Sequence, residues 1–110
     1  MGELVGNIQD VNIEPLDTPW SVVRNNIDNA VNAVEIELSQ RYPYTMENGK
    51  RIYHSDKAGF FHIDILRGLA DVPFFVIDYM KDYEDGDGFF PVDYDSLDTL
   101  VSDVITEIEG

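Results

Sequence analysis

The dipeptide Asn48-Gly49, near the middle of the chain, limits the fold more than any other feature. A two-residue hairpin turn needs positive φ at both central positions, and Asn and Gly adopt it at least cost. The flanking runs Tyr44-Thr45-Met46-Glu47 and Lys50-Arg51-Ile52-Tyr53-His54 therefore predict an antiparallel hairpin. From Phe60 to Leu66 the pattern alternates, with Phe61, Ile63 and Ile65 on one face and His62 and Asp64 on the other. Phe74 to Tyr79, aromatic and β-branched, predicts a further strand, and Arg67 to Pro73 the connection to it. A helix across residues 56–70 competes, because Ile65, Leu66 and Leu69 also suit helical spacing. Phe89-Phe90-Pro91-Val92 reads as a short edge strand.

Amphipathic helices flank this sheet. Thr18 and Pro19 offer an N-cap and a first-turn proline. Beyond Trp20, Val23, Ile27, Ala30, Val31, Val34 and Leu38 fall within about 100° of a helical wheel. Asn25, Asp28, Asn29, Asn32 and Glu35 take the opposite face, and Arg41-Tyr42-Pro43 ends the run. At the other end, Asp95 or Ser96 caps a helix whose stripe is Leu97, Leu100, Val101, Val104, Ile105 and Ile108. Residues 1–17, with Val5, Ile8, Val11 and Ile13, read as an arm or irregular strand closed by Pro15. Residues 18–110 then form one α+β domain: N-terminal helix, antiparallel sheet of three to five strands, C-terminal helix, in two layers. A chain of 110 residues with 44% hydrophobic residues can bury one such core.

Charge is unevenly spread. Twenty-two acidic residues face seven basic ones, a formal net charge of −15. Residues 71–110 hold twelve of the acids and one base, whereas residues 41–70 hold three acids and five bases. Such a field repels nucleic acid and anionic lipid and attracts basic proteins. Direct nucleic-acid binding is therefore not expected. No segment has the roughly 20 apolar residues of a membrane span, and the start, Met1-Gly2-Glu3-Leu4, does not resemble a signal peptide. A cytoplasmic location is the expectation. The chain has no cysteine, which removes disulfides, thiolate metal sites and a Cys nucleophile.

Catalytic patterns are weak. In the acidic turn Lys81 to Gly88, neither glycine sets a calcium-loop register: with Gly88 at the sixth position Tyr83 falls first, and with Gly86 there Lys81 falls first. A looser cation site at Asp82, Glu84, Asp85 and Asp87 is the remaining calcium reading. His62 and Asp64 share a strand face, and His54 would complete a two-His, one-carboxylate set if neighbouring strands converged. Ser39 and Ser55 lie in no nucleophile motif, and the acids around Gly86-Asp87-Gly88 would repel a phosphate. No catalytic residue, metal or cofactor is assigned, and the chain is read as a binding protein rather than an enzyme.

The favoured partner is a basic protein, for instance a nuclease or another nucleic-acid-binding protein. Unpaired carboxylates on a rigid helix, about 5–6 Å apart at i,i+3 or i,i+4, can occupy a groove built for phosphates. The candidate contact residues are Asp82, Glu84, Asp85, Asp87, Asp93, Asp95, Asp98, Asp103, Glu107 and Glu109. In composition this resembles phage anti-restriction and anti-CRISPR proteins and the immunity proteins of nuclease toxins, an analogy of class alone. The alternative is an interaction domain that forms a homodimer. Phe60-Phe61, Phe74-Phe75 and Phe89-Phe90 each place one ring on either side of a sheet, and three outward rings together make an interface. Acidity then serves solubility or salt adaptation.

Overall fold

The computed structural model describes residues 19–81 and 84–110, apart from the side chain of Glu84. The expected arm at 1–17, Thr18 and Asp82 lie outside the described residues. Helices α1 (Trp20–Val23) and α2 (Ile27–Arg41) precede strands β1 (Tyr44–Glu47), β2 (Lys50–Ser55), β3 (Gly59–Arg67), β4 (Pro73–Tyr79) and β5 (Glu84–Asp85). Helix α3 (Leu97–Glu109) follows. The sheet order is β1-β2-β3-β4-β5, and every pairing is antiparallel. This is an α+β fold with two longer helices packed on one face of a meander.

The Asn48-Gly49 turn forms with φ of 53° and 81°, and it sets Glu47 opposite Lys50. Residues 59–67 adopt the alternating strand rather than the competing helix. Their register against β4 pairs Phe61 with Tyr79, His62 with Asp78 and Ile63 with Ile77. A 3-10 turn at Leu69–Asp71 makes the connection, with positive φ at Ala70 and Asp71.

The N-terminal helix departs from the expected continuous run. It breaks after Val23, because Asn26 is extended (φ −123°, ψ 113°) and its side chain accepts hydrogen bonds from the Asp28 and Asn29 amides. Asn competes for local backbone donors in this way, so it starts α2 as its cap instead of continuing α1. Pro19 has ψ 137° and stands before α1 rather than in its first turn. The break lets the Trp20 indole and the Arg24 guanidinium both donate to the Tyr94 carbonyl, at 3.0 and 2.7 Å. The first segment is thereby tied to the loop that leads into α3.

The expected edge strand at Phe89–Val92 reduces to one bridge between Phe89 and Phe75. Pro91 lacks a ladder donor, and a 3-10 turn follows at Pro91–Asp93. Ser96, not Asp95, caps α3 by accepting from the Thr99 amide at 3.2 Å.

The core lies between helices and sheet. Val31, Val34 and Leu38 of α2 and Leu100, Val104 and Ile108 of α3 pack on Tyr53, Phe61, Ile63, Phe75, Ile77 and Phe89. Each such buried apolar side chain contributes about 1.5–3 kcal/mol. The adjacent phenylalanines part as the pleat requires: Phe61, Phe75 and Phe89 are buried here. Of their neighbours, Phe60 is 54% exposed, while Phe74 and Phe90 stack on each other with ring centres 5.0 Å apart.

Candidate functional site

The acidic C-terminal third divides into two kinds of carboxylate. Asp85, Asp87, Asp93, Asp95, Asp98 and Asp103 are exposed, and among the described residues none of them forms an ion pair. Asp85 sits on β5, Asp93 in the 3-10 turn, and Asp98 and Asp103 on α3. Asp98, in the first turn of α3, is favoured by the partial positive charge of the helix N-terminus. The backbone of Glu84 pairs with Tyr79 in β5, so the expected acidic turn is partly sheet edge.

Glu107 and Glu109 differ. They are half-buried in the last turn of α3, where the helix dipole disfavours negative charge. Tyrosine hydroxyls compensate: Tyr79 donates to Glu107 at 2.9 Å and Tyr42 donates to Glu109 at 2.6 Å. Burial, with the neighbouring carboxylate, raises both phenols above their ordinary 10.0. Burial and the Asp103 carboxylate push Tyr94 up to about 12. Gly86 belongs to the same arrangement, since a Cβ there would collide with the Glu107 carboxylate.

The outer face of the sheet, turned away from the helices, carries a second cluster. His62 lies between two carboxylates, with Nε2 3.1 Å from Asp78 and Nδ1 3.4 Å from Asp64. The Lys50 ammonium reaches Asp64 from β2. Asp85, across β4 from His62, is the register partner of Asp78 and adds negative charge beside that carboxylate. Burial raises the Asp78 carboxyl, His62 works against that rise, and Asp64 and Asp85 reinforce it. Burial also acts on Asp64, but the hydrogen bond from Lys50 and the charge of His62 outweigh it and hold that carboxyl below 3.8.

His54 is not part of this cluster, because its ring lies 4.7 Å from the exposed Phe60 ring. Among the described residues one grouping of His and acidic side chains brings its ligand atoms together, His62 with Asp64 and Asp78. His62 and Asp64 follow from strand alternation in the sequence. Asp78 does not, because its place depends on the β3–β4 register.

A third polar network joins α2 to β2. Glu35, expected on the solvent face, instead accepts the Tyr53 hydroxyl at 2.9 Å, and burial raises its carboxyl above the usual value. Arg51 donates to Ser39 at 2.9 Å and lies over the Tyr44 ring. Ser55 accepts from the Ala58 amide and closes the turn into β3. Both serine hydroxyls are thus committed to local structure.

Among the described residues no helix is long and apolar enough to cross a membrane. No protein-family model, curated protein or solved structure matches the chain.

Proposed function

We propose that this chain is a protein-binding module, not an enzyme, whose acidic surface occupies the nucleic-acid-binding groove of a basic protein. The observation that carries the reading is the exposed set Asp85, Asp87, Asp93, Asp95, Asp98 and Asp103, without an ion-pair partner among the described residues. Carboxylates fixed on a packed helix and its approach reproduce spaced negative charge with little ordering left to do on binding. The field they create steers association with a positively charged surface.

The test is a pull-down from the source cells, followed by titration of each captured partner with salt and with double-stranded DNA. A basic nucleic-acid-processing protein is expected, released by DNA and bound progressively more weakly as salt shortens the screening length. The triple reversal Asp85→Lys, Asp98→Lys, Asp103→Lys should abolish that binding. Capture that withstands both the reversal and the salt overturns the reading.

A second reading, a homodimer through the outer sheet face, draws support from Phe60, Leu66 and Met80, which are exposed there. It predicts concentration-dependent sedimentation at high salt that Phe60→Ser abolishes.

A further inference from the structure

We propose that the outer face of the sheet is a binding site for one divalent first-row transition-metal ion, held by the His62 imidazole and the Asp64 and Asp78 carboxylates. The donors come from two adjacent antiparallel strands, with His62 and Asp78 in direct register and Asp64 two residues further along β3. One ligand atom from each lies within 4.8 Å of the other two. Metal–ligand bonds of about 2.0–2.2 Å bring such atoms together with side-chain adjustments alone.

Charge points the same way. Asp64 and Asp78 flank one imidazole, and Lys50 is the one described Lys or Arg that pairs with either of them. Carboxylates this close are relieved by a shared proton or by a cation. Lys50 engages Oδ1 of Asp64.

The state of His62 is an independent observation. Its side chain is 13% exposed, and its Nδ1 atom is buried with no hydrogen-bond partner. A buried polar nitrogen left unsatisfied is costly and uncommon, and coordination of the ring by a cation changes what that nitrogen faces.

The donor set narrows the ion. One imidazole with two carboxylates suits zinc, cobalt, iron or manganese, whereas calcium and magnesium prefer oxygen alone. Asp64 and Asp78 keep 27% and 28% of their side-chain surface, so water can complete the coordination sphere.

Calorimetry and metal analysis of the full chain with zinc chloride and manganese chloride, in about 0.5 M NaCl to suppress diffuse attraction, provide the test. One equivalent of either ion is expected, zinc the tighter, with little calcium binding. His62→Gln and Asp78→Asn should each weaken zinc by at least about tenfold. The Asp98→Asn, Asp103→Asn double variant should leave it unchanged. Equal affinity in all four proteins, or several weak equivalents that vanish together with salt, overturns the site. Zinc should also raise the melting temperature of the unmodified chain, a readout independent of how the variants fold. No rise at saturating zinc overturns the proposal too.

Discussion

The end of α3 and the outer face of the sheet hold acids of the same type and stabilise them by opposite means. On the sheet, Asp64 and Asp78 have charged or titratable company: Lys50 on one side and His62 between them. On α3, Glu107 and Glu109 are held by the neutral hydroxyls of Tyr79 and Tyr42. An ammonium cancels charge, whereas a phenol satisfies the carboxylate and leaves its charge intact. The C-terminal region can therefore be ordered and strongly anionic at once. Net charge alone does not distinguish these two solutions.

The largest expected effect tests whether the exposed carboxylates of α3 depend on the apolar stripe beneath them. Leu100, fully buried in the core, anchors α3, and Leu100→Ala should cost about 2–5 kcal/mol by denaturant unfolding. A smaller loss would mean that α3 is only loosely docked. Next, Tyr79→Phe removes the donor to Glu107 without changing net charge, and should cost about 1–2 kcal/mol. If Glu107→Gln in that background restores none of it, the hydroxyl–carboxylate contact contributes little. On the sheet face, Lys50→Met breaks a largely exposed ion pair and should cost less than about 1 kcal/mol. A cost above that of Tyr79→Phe would invert the comparison.

Opposite ends of the pH scale separate the two regions further. Tyr42 and Tyr79 have phenols raised above 10.0 in the folded chain, so their contribution is complete below pH 10.0 and lost as pH rises beyond it. The Asp64 carboxyl is lowered from 3.8, so its contribution is complete above pH 3.8 and lost as pH falls through the folded value. Asp78 has the opposite sign: its raised carboxyl takes up a proton in the folded state first, so moderate acid relieves it. Melting curves across pH should show a flatter alkaline limb in Tyr79→Phe and an altered acid limb in Asp64→Asn. Identical limbs in both variants would remove the distinction.

Local signals in the sequence were legible because one or two residues decide them. Asn48-Gly49 dictates its hairpin through backbone sterics, and the stripe from Leu97 to Ile108 dictates α3 through periodicity. The α1–α2 break was hidden, because Asn26 sits inside an apolar pattern that continues across it. His62 and Asp64 were legible as same-face neighbours. Asp78 joins them only through a register set by the Gly68–Val72 connection. The tyrosine–glutamate contacts span 28 and 67 residues, and no periodicity encodes them.

The nearest-neighbour order of the sheet has a consequence for how the molecule is assembled. Each strand pairs with the one made just before it, so the meander closes only short loops, which cost little entropy and favour early formation. Helix α3 follows the sheet in the chain, and its link to Tyr42 closes a loop of 67 residues, so its docking is expected after the meander forms. The carboxylates of α3 are thus fixed in place by long-range contacts rather than by the meander itself.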